Sequence, residues 1–376
     1  MFLNKLMRIC YIANAESIHT QRWIQYFART GHQIHLISPT PPIGNYPQNV
    51  SLYPIKVLQG IRGLNHAFSI IQIRRIMKRI NPDILHAHYV ADYGFWAALC
   101  CVHPFVVTAW GSDVLVRPRE STLSKWMVKF VLKQADLITC DAEHLEHRIT
   151  ELGAERKRIK LIYFGVDTQK FSSGKGDVGF KEKLRLEPSS LTIISLRNLS
   201  PIYDVESLIK AIPLVLNDIP DSRFIIAGDG EQRNYLGTLA KSLGVSDSIR
   251  FVGRIPNDEL PRYLASSNIY VSTALSDAGL AASTAEAMAC ELPVVITDFG
   301  NNRDWVKDGD GGFVIPTKDP VILAEKIVLL LKNEDVRRRF GKINRSVIEE
   351  RNNYEKEMKS MEEIYLQLIR NRPIKK

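Results

Sequence analysis

Val271-Ser-Thr-Ala-Leu-Ser-Asp-Ala-Gly-Leu-Ala-Ala-Ser-Thr-Ala-Glu286 runs into Ala287-Met-Ala-Cys-Glu-Leu-Pro-Val-Val-Ile-Thr297, and the whole reads as strand, small-residue loop, helix, sharp stop and strand. The loop Ser276–Ala282 has almost no side-chain bulk, so ligand oxygens can approach its backbone N–H groups. Ala282 or Ser283 opens the helix, whose first N–H groups lack internal partners and whose dipole favours an anion. Glu286 falls in the first turn or two, where a carboxylate can accept bonds from sugar hydroxyls. The same small residues also suit a tight strand-to-helix crossover made only for packing.

Outward from that stretch, strands and helices alternate in both directions. Toward the C-terminus, Lys318-Asp319-Pro320 starts a helix to Leu331, and a last helix covers about Tyr354 to Ile369. Toward the N-terminus come strands 191–196, 223–227, 249–252 and 269–273, with helices 205–216, 232–243 and 258–265 between them. An earlier, separate series contains strands at Arg8–Ala13, Gln33–Ser38, Asp83–His88, Phe105–Trp110, Asp136–Cys140 and Ile159–Tyr163. The Gly/Ser stretch Ser172-Ser-Gly-Lys-Gly-Asp177 divides the two series. The expected fold is therefore α/β, with two doubly wound Rossmann-like domains facing each other across a cleft. Residues 1–172 form the first domain, 173–352 the second, and 353–376 a C-terminal helix returning toward the first.

Composition narrows the class. The 376 residues are 45% hydrophobic and 24% charged, which fits a soluble globular protein of two domains. The five cysteines form no C-x-x-C pair and sit in apolar surroundings, as buried thiols of a reducing compartment do. The start Met1–Arg8 is too soon broken by charge for a signal peptide, and no apolar run reaches membrane-spanning length. A cytoplasmic location follows, with peripheral attachment to the inner membrane face possible. Up to Ser173 there are 21 Lys and Arg against 12 Asp and Glu, whereas the remainder is balanced. A basic first half suits an anionic partner such as a membrane surface, and it equally suits solubility. Lys125, Lys129 and Lys133 share one helical stripe with Trp126 and Phe130, an arrangement open to anionic lipid or to plain solvent. The basic residues are otherwise scattered without aromatic platforms, which argues against nucleic acid.

The first strand-to-helix loop lacks the G-x-G-x-x-G needed for a dinucleotide pyrophosphate, which argues against a nicotinamide or flavin enzyme. His19 and Arg22 lie just beyond that strand, where open α/β sheets place ligands. Trp110-Gly-Ser-Asp113 lies at another strand's C-terminal edge.

With these elements placed, the chain resembles the retaining glycosyltransferases of family 4, which have the GT-B fold. Glu286-Ala-Met-Ala-Cys-Glu-Leu-Pro-Val-Val295 is the most specific part. His19-Thr-Gln-Arg-Trp23, Trp110-Gly-Ser-Asp113, Phe164-Gly-Val-Asp167, Ile226-Ala-Gly-Asp-Gly230, Phe251-Val-Gly-Arg254 and Asp308-Gly-Asp-Gly-Gly-Phe313 support it. The resemblance implies a nucleotide diphosphate sugar bound mainly by the second domain. Glu286 would hold the ribose, and Arg197 would pair with the diphosphate through its guanidinium fork. Gly279, Leu280 and Ala281 would meet sugar or phosphate through their backbone, and Gly253 and Arg254 would border the base. Asp113 would face the cleft as a catalytic group, with His19, Arg22 and Trp110 on the acceptor side. Arg197 as a structural ion pair and Asp113 as a turn-former are the alternatives.

Four departures stand out. The first glutamate of the family's E-x7-E pattern falls at Ala278, with Asp277 as a neighbouring substitute. The usual lysine after the arginine is missing, and Tyr203 occupies that region without a charge. Trp110 stands where a histidine is common. Glu291 stands where a glycine commonly ends the helix, at a cost of about 1 kcal/mol in a left-handed conformation. The implied activity is metal-independent transfer of a hexose to a glycan or lipid-linked hydroxyl with retention, in envelope polysaccharide or glycoconjugate synthesis. Alternatives are a nucleotide-sugar epimerase or hydrolase on the same fold, or a non-catalytic sugar-nucleotide-binding partner of another transferase.

Overall fold

The computed structural model describes residues 6–42, 46–58, 62–176, 179–276 and 279–372. Two compact units emerge: Met1–Phe164 with Lys356–Lys376, and Gly165–Glu355. The chain thus crosses between units ahead of the Gly/Ser stretch, and Ser173–Lys175 forms a 3-10 turn inside the second unit.

The first unit holds β1 (Arg8–Ile12), β2 (Gln33–Ser38), β3 (Val50–Pro54), β4 (Ile84–His88), β5 (Phe105–Thr108), β6 (Leu137–Cys140) and β7 (Ile159–Leu161). They form a parallel sheet in the order β3-β2-β1-β4-β5-β6-β7. The apolar runs of β4, β5 and β6 are buried along their whole length, as parallel strands covered on both faces must be. The edge strand β3 escapes sequence reading because Val50-Ser-Leu-Tyr-Pro54 is short, half-exposed and closed by a proline.

The second unit holds β8 (Thr192–Leu196), β9 (Arg223–Ala227), β10 (Ile249–Gly253), β11 (Ile269–Ser272), β12 (Val294–Thr297) and β13 (Gly312–Ile315). Their order is β10-β9-β8-β11-β12-β13, again all parallel. The strand order therefore reverses once in each sheet, between β1 and β4 and between β8 and β11. Ligands bind at such switch points, outside the strands' C-terminal ends.

The chain from β11 to β12 keeps the predicted strand, loop, helix, stop and strand, with its helix at Ala282–Ala289. Glu291 has φ 60°, so the left-handed position that favours glycine is occupied by a glutamate. Its carboxylate accepts a bond from Ser173 Oγ at 2.9 Å. Below it, the buried Asn344 donates to the carbonyls of Leu292 and Gly311, each at 2.7 Å, and fastens the helix Glu334–Arg351 to this turn. Satisfying two otherwise buried carbonyls is worth about 1 kcal/mol each.

Candidate functional site

At the β8/β11 switch point a cavity of about 410 Å³ is lined by Arg197, Asn198, Gly228, Arg254, Ser283 and Glu286, among others. Each comes from the C-terminal end of a strand or from the helix Ala282–Ala289. Arg197, one residue past β8, is buried, and its guanidinium lies over the Tyr203 ring at 4.3 Å. Its Nη1 also reaches Ser283 Oγ at 3.5 Å, and Ser283 Oγ is 2.8 Å from the Tyr270 hydroxyl. Tyr203 thus supports the arginine through its ring, and Thr273 Oγ1 holds the Tyr203 carbonyl at 3.0 Å. This cation–π contact fixes the direction of the charge without neutralising it.

Glycines make the cavity possible. Gly228 has φ +128°, and a Cβ there would lie 2.1 Å from the Arg197 carbonyl oxygen. A Cβ on Gly230 would lie 2.4 Å from the Leu199 carbonyl oxygen. The loop after β9 therefore presses directly on the backbone that carries Arg197. Gly253, at φ +71°, ends β10, and its carbonyl accepts the Gly228 N–H at 2.8 Å; the exposed Arg254 follows.

Half-buried Gly279, Leu280 and Ala281 lead into the helix, which has no side-chain cap at Ala281. Its leading N–H groups have no intrahelical acceptor. Glu286 is buried on the same helix and lines the cavity. Asp277 and Ala278 lie outside the described residues. In Asp308-Gly-Asp310, Asp308 Oδ1 accepts the Val314 N–H at 3.0 Å, so that acidic pair shapes a turn.

The first unit carries a larger cavity, about 730 Å³, at the β1/β4 switch point. His19 stacks on Trp110 with ring centroids 4.4 Å apart and meets Phe164 edge-on at 4.5 Å. Arg22 lies over the same Phe164 ring at 3.9 Å. The three acceptor-side residues singled out from sequence therefore converge. Tyr89, Tyr93 and Trp96 join the cavity wall from the chain after β4, a contribution that Tyr89-Val-Ala-Asp-Tyr-Gly-Phe-Trp96 signals only as an aromatic cluster.

Asp113 is different from the expectation of a cleft-facing group. It is fully buried, and its carboxylate accepts the Val90 N–H at 2.7 Å and the Trp110 N–H at 3.1 Å. Burial raises its pKa to about 6 against the opposing pull of those backbone bonds. Asp113 is a latch between the loops after β4 and β5, and it positions Trp110. Gly111, at φ 105°, permits the turn between them.

Comparison with known proteins matches residues 8–142 to the family profile "Glycosyl transferase 4-like" and residues 179–347 to "Glycosyl transferases group 1". The N-acetyl-alpha-D-glucosaminyl L-malate synthase of Bacillus anthracis is 24% identical over 92% of this chain and 91% of its own. An Escherichia coli UDP-Gal:alpha-D-GlcNAc-diphosphoundecaprenol alpha-1,3-galactosyltransferase is 26% identical over 81% of this chain and 80% of its own. Among solved structures, a glycosyltransferase of Rickettsia africae superposes with a TM-score of 0.82 at 17% identity, covering 98% of this chain and all of that one. HepE of Anabaena in complex with UDP gives 0.80 at 16%, covering 96% of this chain and all of that one. At such identities the structural likeness concerns the fold, which is GT-B.

Proposed function

The chain belongs to the group 1 glycosyltransferases, and we propose that it moves a hexose from a nucleotide diphosphate sugar to a hydroxyl acceptor with retained anomeric configuration. The observation that carries this reading is the buried Arg197, aimed on Tyr203 and Ser283 beside an uncapped helix N-terminus in one cavity. A cation beside a helix N-terminus suits a diphosphate. Glu286 then accepts bonds from the ribose hydroxyls, and Arg254 borders the base. Structures of relatives with UDP, and with UDP-glucose, support a uridine nucleotide donor as the first to test.

In the proposed reaction the acceptor oxygen bonds to the anomeric carbon on the face that the leaving group vacates. The bond from that carbon to the diphosphate oxygen breaks, and the acceptor's proton passes to the departing phosphate. Arg197 and the helix N-terminus stabilise the charge that grows on the diphosphate, and no resident metal is required. The acceptor is a glycan or a lipid-linked sugar at a membrane face. Among the described residues no helix is long and apolar enough to cross a membrane. Exposed Leu123 and Trp126 flank Lys125, Lys129 and Lys133 on the helix Thr122–Gln134, which supports contact with anionic lipid. Donor-dependent release of nucleoside diphosphate tests the reading. Turnover undiminished in both Arg197→Ala and Glu286→Ala would refute the site.

A further inference from the structure

We infer that the first unit takes its acceptor as an uncharged sugar ring, seated among aromatic side chains and histidines at the β1/β4 switch point, and not through a phosphate or carboxylate. This rests on the transfer reading above and narrows its acceptor. The cavity's volume, about 730 Å³, lies in the range of small-molecule sites. Tyr93, from the helix Asp92–Leu99, and Trp110 supply flat apolar faces of the kind that cover the C–H face of a pyranose, with the buried Trp96 packed behind them. Val57 and Leu58 extend this surface at the rim, 42% and 45% exposed.

The nearest cation singled out from sequence, Arg22, lies over Phe164 behind His19 and not in the cavity wall. No lysine or arginine lines the cavity among the described residues. The carboxylate that does, Asp92, receives Arg117 Nη2 on both oxygens at 3.2 Å. His88 is 2% exposed; its Nδ1 faces Thr20 Oγ1 at 3.4 Å, and its Nε2 is buried without a hydrogen-bond partner. His19 Nδ1 is likewise buried without one. Burial, with His19 beside it, pushes His88 down to about 3; burial, with Arg22 beside it, pushes His19 down to about 4. Each ring is therefore neutral near pH 7 and offers one donor and one acceptor nitrogen. Both unpartnered nitrogens are buried, so these rings meet a ligand as uncharged faces. A phosphate or carboxylate entering here would lose its hydration without direct contact to a cation among the described lining residues.

The test uses the full chain and saturation-transfer NMR with titration. The probes are the methyl glycosides of glucose, galactose and N-acetylglucosamine, set against L-malate and glycerol 1-phosphate. At least one glycoside should saturate, with magnetisation arriving from aromatic protons, and neither anion should compete. Tyr93→Ala should weaken that glycoside about tenfold. Leu58→Ala, at an exposed rim position where folding is not at stake, should weaken it about two- to threefold. The inference is overturned if none of the glycosides binds, if an anion binds more tightly than all of them, or if both variants bind as wild type. Nucleoside diphosphate release is measured in parallel. If release depends on Arg197 while the glycoside arm fails, this inference falls alone. If release ignores Arg197 and Glu286, the transfer reading falls, whatever the glycosides do.

Discussion

The two switch-point cavities occupy equivalent places in equivalent sheets and have opposite chemistry. The one at β8/β11 is cut by glycines, carries Arg197 and Arg254, and ends on a helix N-terminus. The one at β1/β4 is walled by rings and imidazoles, with no cation among its described lining residues. Strand order fixes where a ligand goes; the few residues after each strand decide its charge. A protein that joins an anionic donor to a neutral acceptor needs both kinds, and topology alone distinguishes neither.

Arg197→Ala offers the largest test of that contrast. It should lower nucleoside diphosphate release by about 10²–10³-fold, and leave glycoside binding in the first unit unchanged. Arg197→Lys should recover only part, since a point charge cannot replace the planar fork or lie flat on Tyr203. Gly228→Ala comes next. Its Cβ meets a carbonyl oxygen at 2.1 Å from a φ that side chains rarely adopt, so unfolding stability should fall by about 2–3 kcal/mol and donor turnover with it. Denaturant titration and the release assay read both effects.

Asp113→Asn tests the latch in the first unit. An asparagine keeps one accepting oxygen and sets an NH2 against the other of the Val90 and Trp110 N–H groups, so stability should drop by about 1–3 kcal/mol at pH 7. The pH dependence has a definite sign. Asp113 is raised to about 6 in the fold, so it favours the folded state below its unfolded pKa and loses that contribution as pH rises from about 4 to about 6. His19 and His88 are lowered, so their contribution runs the other way and is lost as pH falls below about 6.5. Removing Asp113 leaves the histidines less opposed. The deficit of Asp113→Asn should therefore be larger at pH 5 than at pH 7 by thermal or denaturant melting. Glu291→Gly has the smallest expected effect. It relieves a left-handed glutamate but gives up the Ser173 bond, for a net gain of at most about 1 kcal/mol.

Much of the second unit was legible because its signals are local. Val271–Thr297 shows its strand, loop, helix and stop in consecutive residues, and Arg197 directly follows an apolar run. The Glu291 turn was anticipated through the resemblance, which puts a helix-ending glycine at that position. Long-range contacts were not legible. Nothing in Ala227-Gly-Asp-Gly230 says that its glycines face the Arg197 backbone rather than a ligand. Asp113 follows a glycine at a strand end, as a catalytic carboxylate would, and only the positions of Val90 and Trp110 in space reveal it as buried. The gathering of Tyr93, Trp96, His88 and Trp110 needs β4 and β5 in register before it exists. Strand β13 was missed because two glycines precede a short Phe-Val-Ile run and hide its period.

The return of the last helix to the first unit bears on the order of biosynthesis. Met358, Met361 and Tyr365 are wholly buried there. The Tyr365 hydroxyl meets His86 Nδ1 at 2.5 Å and the Tyr11 hydroxyl at 3.3 Å, and Glu362 meets the buried His32 at 3.0 Å. Domains generally fold from the N-terminus as the chain emerges. Here the unit translated first has His32 and His86 covered only once the helix Tyr354–Arg370 has been made. The apolar side chains Met358, Met361 and Tyr365 thus complete the first unit only after the residues of the second have been made.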